Sequence, residues 1–157
     1  MPSQELRFRP GRADYVQRVR AVFAEELARR GLRLTAQRER ILGFLLAAQR
    51  HVSLDEIRAA LKESGLGRAT VFRTLRVLMD SGLVSRVSDP QGAARYEVDL
   101  ERPHHDHLIC TSCGSIEEVR WPELERIQHR VCERAGFTAQ WHRHEIYGRC
   151  RRCRGKG

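Results

Sequence analysis

Lysine is almost missing from this chain: of 29 cationic residues only Lys62 and Lys156 are lysines. No amphipathic helix therefore has a strongly apolar face backed by lysines, the pattern of a membrane-surface helix. No apolar run approaches the ~18 residues a membrane-spanning helix needs, and Met1-Pro2-Ser3 begins no secretory hydrophobic segment. These absences predict a cytoplasmic protein without a membrane partner, in a compartment where thiols stay reduced and paired cysteines more often hold metal than form disulfides. The patterns of catalysis are missing too. There is no His-Glu-x-x-His, no His-x-Glu with Pro-Cys-x-x-Cys, no phosphate loop and no Gly-x-Ser-x-Gly. With no internal repeat and no low-complexity segment, the expectation is a binding protein rather than an enzyme, with no small organic substrate.

What is present points to folded structure and to a polyanion. At 157 residues, 41% hydrophobic and 31% charged, the chain can form one ordinary domain or two small ones. Its net charge of +9 is uneven. Residues 1–86 carry 17 Lys and Arg against 9 Asp and Glu, whereas residues 87–157 carry 12 against 11. A basic first half suits nucleic acid.

Residues 1–13 read as a loose basic tail. Asp14 and Gln17 resemble a capping box opening a helix over 14–30, with Val16, Val19, Phe23 and Leu27 as its apolar stripe and Gly31 as its stop. Thr35 caps a second helix to about Ala48, with Ile41, Leu42, Leu45 and Leu46 inward. Ser53-Leu54-Asp55-Glu56 is a full capping box for a third, with Ile57 and Leu61 inward and Gly65 closing it. A fourth, over 68–81, buries Val71, Leu75, Leu78 and Met79 and leaves Arg68, Thr70, Arg73 and Arg76 largely on its other faces. Leu83–Val87 and Ala94–Val98 form a hairpin around Ser88-Asp89-Pro90-Gln91-Gly92. This order predicts a winged helix-turn-helix over 14–98, with the fourth helix the one for the major groove. After a connection at 99–104, residues 105–157 predict a small α/β domain. Its elements are a strand at Ser115–Val119, a helix at Pro122–Ala135 with Pro at its first position, and an alternating strand at Phe137–Tyr147. The fold class is α+β.

The chemistry concentrates at His104-His105-Asp106-His107-Leu108-Ile109-Cys110-Thr111-Ser112-Cys113. Cys110-x-x-Cys113 and Cys150-x-x-Cys153 are two knuckles whose four thiolates suit tetrahedral structural zinc. A dithiol switch or two disulfides are the alternatives, and Cys132 is left over as a small semi-buried residue. If residues 104–110 enter a strand, His105 and His107 share one face while His104 and Asp106 share the other. Four adjacent donors then cannot easily serve one ion, and two sites are implied. The partners on offer are His51, Glu97, Glu125, His142 and His144. His129 reads as an ordinary surface residue.

These motifs resemble the ferric uptake regulator family of bacterial metal-dependent repressors. The residues that carry the resemblance are Gly31-Leu32-Arg33-Leu34-Thr35 with Arg38, Arg68-Ala69-Thr70-Val71-Phe72-Arg73-Thr74-Leu75, the stretch from His104 to Gly114, and Ile146-Tyr147-Gly148 ahead of Cys150. It covers about residues 28–153. The resemblance implies a winged-helix domain followed by an α/β dimerisation domain, and a metal-loaded homodimer on palindromic operator DNA. It places a sensing site on His51, Glu97, His105 and His107, a second site on His104, Asp106, Glu125 and His142, and structural zinc on the four paired cysteines. It places DNA contacts on Arg33 for the minor groove and on Thr70, Phe72 and Arg73 of the fourth helix. Most relatives have Tyr where this chain has Phe72; the ring still meets thymine methyls, but the phenol's hydrogen bond is lost. Sensing ligands from both halves imply that metal sets the angle between them, and so the spacing of two recognition helices across half-sites ~34–36 Å apart. In relatives, Asp at the position of Glu97 goes with peroxide sensing, so Glu97 leans to iron(II). Zinc, which affinity order favours over iron(II), and manganese are the other metals, and a peroxide sensor is the other reading. From other classes, the rivals are a zinc-stabilised RNA-binding module and a two-site metallohydrolase.

Overall fold

A computed structural model describes residues 12–100 and 104–155. Residues 1–11 of the predicted 1–13 tail and 101–103 of the predicted connection lie outside the described residues. The chain divides into two compact units, one built from residues up to Ser88 together with 93–102, the other from 89–92 and the residues from 103 on.

The first unit runs α1 (Arg12–Arg29), α2 (Ala36–Ala48), β1 (Val52–Ser53), α3 (Leu54–Ala60), a 3-10 turn (Lys62–Ser64), α4 (Arg68–Asp80), β2 (Val84–Ser88) and β3 (Ala94–Val98). Helix α1 begins two residues before the expected Asp14 cap. Arg12 and Ala13, assigned to the tail from sequence, are helical, and Asp14 lies in the first turn, where its charge favours the N-terminal end of the helix dipole. The apolar stripes meet as the periodicity demands. Val19, Phe23 and Leu27 of α1, Ile41, Leu42 and Leu45 of α2, Ile57 of α3 and Val71, Leu75 and Leu78 of α4 form one core with Leu83 and Tyr96. Leu46, Leu61 and Met79, expected inward, are half-buried at its margin.

Of the three predicted N-caps, that of Asp14 does not form, since the helix starts before it, and those of Thr35 and Ser53 do. The Thr35 hydroxyl accepts the N–H of Arg38 at 3.4 Å. At α3, the Ser53 hydroxyl accepts the N–H of Glu56 at 3.1 Å, and the Glu56 carboxylate accepts the N–H of Ser53 at 2.7 Å. Burial pushes the Glu56 carboxyl up, but the Ser53 N–H and Arg50 outweigh it and hold the group below its ordinary 4.5. A carboxyl depressed in the fold stabilises it above the unfolded value and loses that contribution as pH falls through the depressed one. Replacing Ser53 by Ala is expected to cost about 1 kcal/mol, read as a lower urea midpoint with an unchanged slope.

The sheet of this unit has the order β1-β3-β2, all antiparallel. Strand β1 was invisible to periodicity because two residues carry no alternation, yet its register matters below: Val52 pairs Tyr96 and Ser53 pairs Arg95.

The second unit contains β4 (Asp106–Cys110), β5 (Ile116–Val119), α5 (Pro122–Arg134) and β6 (Glu145–Gly148). Strand β4 is central, antiparallel to β5 and parallel to β6. The expected strand at 137–147 is mostly absent: only Glu145 onward is a strand, and 137–144 form no regular element. The alternation is real, but a strand needs a neighbour. His107 pairs Glu145, and β4 begins only one residue earlier.

Candidate functional site

In the winged unit His51, the residue before β1, lies beside Glu97 of β3, one position past the Val52–Tyr96 pair. Nε2 of His51 lies 2.9 Å from Oε1 of Glu97, and both side chains are buried. Ser85 on β2 also reaches Oε1 of Glu97, at 3.4 Å. A buried carboxylate is costly unless a cation or several donors meet it, which makes this pair suited to a metal.

In the second unit strand alternation divides the imidazoles. His104 and Asp106 turn to one side, where Glu125 of α5 and His142 join them. The four offer donor atoms within 4.8 Å of one another. Nε2 of His104 lies 3.2 Å from Oδ1 of Asp106 and 3.6 Å from Oε1 of Glu125. Nε2 of His142 lies 3.1 Å from the same Glu125 oxygen, and the His104 and His142 rings stack edge-on at 4.2 Å. Two imidazoles and two carboxylates converging in this way can hold a divalent ion of the iron, manganese or zinc type.

His105 and His107 turn the other way, their ring centroids 5.0 Å apart. Across the β4–β5 ladder His107 pairs Glu118, and donor atoms of His105 and Glu118 lie within 4.8 Å. Glu118 is the residue that sequence reasoning missed. Its signal was the register of β5 on β4, which a list of adjacent ligands does not contain.

The four knuckle cysteines also converge, with sulfurs within 4.8 Å of one another and none in a disulfide. Sγ of Cys113 and Sγ of Cys150 are 3.8 Å apart, the edge of a tetrahedron about 3.8 Å long that zinc–sulfur bonds of ~2.3 Å would make. The backbone N–H of Cys150 donates to Sγ of Cys110 at 3.3 Å. That bond first, and the Cys113 N–H second, hold the Cys110 thiol down to about 5, while bonds to the Cys150 and Cys113 sulfurs push Cys153 up to about 12. Backbone donors aimed at a sulfur stabilise the thiolate that a metal requires.

The remaining candidates take structural places. His144 packs edge-on against Trp121 with ring centroids 5.5 Å apart, its carbonyl accepting the His107 N–H at 3.2 Å. His129 is exposed beside Glu133 at 3.4 Å, and Cys132 is half-buried on α5.

On the nucleic-acid side, α4 buries Val71, Thr74, Leu75 and Leu78 and turns Phe72, Arg73 and Arg76 outward, with Phe72 48% exposed. Thr70 is half-buried at the edge of that face. Arg33 is exposed in the turn before α2, its carbonyl taking a hydrogen bond from Arg38. An apolar ring flanked by arginines on one helical face suits a thymine methyl and guanine or phosphate.

Three comparisons bear on this arrangement. The model of the ferric uptake regulator family matches residues 29–147. The peroxide-responsive repressor PerR of Staphylococcus saprophyticus is 36% identical over 132 residues, covering 83% of this chain and 88% of that protein. Among solved structures, the Helicobacter pylori ferric uptake regulator, with three functional metal-binding sites, superposes with a TM-score of 0.79 at 26% identity, covering 88% of this chain and 93% of that one. The iron-containing Francisella tularensis regulator gives 0.71 at 31% identity, covering 79% and 96%.

Proposed function

The chain belongs to the ferric uptake regulator family of metal-responsive DNA-binding repressors, and from that premise we propose that it represses transcription as a homodimer bound to palindromic operator DNA when loaded with iron(II). The observation that carries the reading is the His51–Glu97 pair, a buried imidazole and carboxylate 2.9 Å apart inside the winged unit. The domain that would read DNA thus holds half of a ligand set. His105 and His107, joined by Glu118, supply the other half in this proposal, so that one ion ties the two units and fixes the spacing of the α4 helices. His104, Asp106, Glu125 and His142 take a second ion, and the four cysteines take structural zinc.

The proposed dimer accounts for apolar side chains that the second unit leaves in water. Ile127 and Val131 lie one turn apart on α5, and Phe137, Trp141, Ile146 and Tyr147 are exposed as well, Trp141 by 81%. Exposed apolar surface of this extent on a small unit marks an interface, and the alternating 137–144 segment suits pairing with a second copy. The DNA contacts proposed are Arg33, Thr70, Phe72 and Arg73. Family members are regulators rather than enzymes, and no described helix is long and apolar enough to cross a membrane.

Glu97, standing where peroxide sensors carry Asp, leans the reading to an iron(II) repressor over a peroxide sensor, and zinc and manganese are the other metals that this donor set accepts. Identity of 36% to a peroxide-responsive repressor favours the second reading, a peroxide sensor. The separating experiment measures binding to duplex DNA from the protein's own upstream region, with iron- or manganese-loaded protein, before and after hydrogen peroxide. A DNA affinity that returns once peroxide is removed and iron(II) restored supports the iron-responsive repressor, and one that peroxide abolishes and iron(II) does not restore supports the peroxide sensor. Chelator-insensitive binding to RNA, or turnover of a phosphoester, would instead favour the rival classes.

A further inference from the structure

We propose that Glu56 is a positioning residue for metal sensing: its carboxylate fixes the β1–β3 register that sets His51 against Glu97. The inference rests on the reading of that pair as metal ligands.

A two-residue strand with two register pairs has little to hold it in place, and a slip of one residue would turn the His51 side chain to the opposite face. Glu56 ties down the residues on both sides of that register. One carboxylate oxygen, Oε2, accepts the N–H of Ser53 in β1 at 2.7 Å and Nη1 of Arg95 in β3 at 3.2 Å. Ser53 and Arg95 are themselves a register pair, so a single oxygen bridges the two strands at that rung. The other oxygen accepts Nη1 of Arg50 at 2.7 Å, and the same guanidinium nitrogen donates to the carbonyl of His51 at 3.1 Å.

Residues two apart on a strand share a face. Glu97 and Arg95 on β3 therefore share a face, and since His51 meets Glu97 while Glu56 meets Arg95, the ligand pair and the Glu56 bridge lie on one side of the sheet. The carboxylate is the N3 residue of the α3 capping box, so the start of the helix-turn-helix and the ligand pair share one anchor. Glu56 stays ionised at neutral pH, since Ser53 and Arg50 hold its carboxyl below the ordinary value against the effect of burial. Partners that orient a ligand without touching the metal commonly change affinity about 10- to 100-fold when removed.

The test uses full-length, zinc-replete protein in which His104→Ala and His142→Ala silence the second site, with Mn2+ binding followed by electron paramagnetic resonance. Glu56→Ala is expected to raise the Mn2+ Kd about tenfold or more. Glu56→Gln, which still accepts the Ser53 N–H but drops the charge on the two arginines, is expected to fall between it and the parent. A Glu56→Ala protein that melts at a lower temperature but binds Mn2+ within about twofold of the parent would make Glu56 a helix cap only and overturn the proposal. His51→Ala separates the two levels. If it abolishes Mn2+ binding while Glu56→Ala does not, the positioning role alone fails; if it leaves Mn2+ binding intact, the ligand reading fails and the positioning role with it.

Discussion

Cys150→Ser protein is expected to emerge without its zinc and with its second unit unfolded, while the winged unit keeps its helices. The reason is the distribution of the core. Among the described residues, Ile109 and Cys110 are the buried apolar side chains of the second unit, and the rest lie in residues 19–96. A unit of about 60 residues with so little buried apolar surface falls below what a hydrophobic core alone can hold together. Zinc bound by four thiolates contributes on the order of 10–16 kcal/mol in comparable small sites, as much as the whole net stability of an ordinary domain, about 5–15 kcal/mol. The knuckles also close the fold topologically. Cys110 ends β4 and Cys150 follows β6, so the metal would tie together the two strands that pair in parallel. Hydrogen exchange resolved by peptide checks this: protection across 104–153 should collapse in Cys150→Ser or after exhaustive chelation, while α2 and α4 remain protected. Retained protection in the second unit would mean that the cysteines are dispensable to its fold.

His105→Ala protein is expected to fold, keep its zinc and lose the response of DNA binding to metal. A ligand acts on an equilibrium only through its difference in affinity for two states, and driving a population from mostly one state to mostly the other takes about 5.5 kcal/mol, a factor of about 10,000. Ligands drawn from both units supply that difference, and the loss of one imidazole donor leaves too small a difference to drive the shift. The variant should therefore bind operator at the weak metal-free level whether or not iron(II) is present. Cys110→Ser should fail for a different reason, loss of structure, and circular dichroism distinguishes the two. His129→Ala, on the exposed face of α5, should leave the response unchanged.

How much of this was legible in the sequence depended on the range of each interaction. Helices α2 and α3 were legible with their caps, because Thr35 with Arg38 and Ser53 with Glu56 are local pairs, and α4 was legible from its apolar periodicity. The division of His104 and Asp106 from His105 and His107 was legible too, since alternation is intrinsic to a strand. The Phe137–His144 segment has a strand's pattern and no strand, because β4 begins at Asp106 and offers a partner only from His144 onward. Glu118 and the Glu56–Arg95 bridge were not legible at all: the first depends on how β5 registers on β4, the second on a residue 39 positions away. Strand β1 escaped for the same reason, being defined by its partner β3 and not by its own two residues. The family resemblance supplied ligand assignments that periodicity left open, and the His51–Glu97 pair gives one of them a physical cause.

The central claim is that a divalent metal switches DNA affinity, and one titration tests it most directly. Fluorescence anisotropy on a duplex from the protein's own upstream region, at fixed salt because phosphate contacts make affinity salt-dependent, compares iron(II)-loaded protein under anaerobic conditions with the same protein holding zinc alone. The account predicts specific binding at least about 1,000-fold tighter with iron(II), within the usual ratio of specific to non-specific affinity, and reversed by a chelator that leaves the structural zinc in place. Equal affinity with and without the regulatory metal would contradict it.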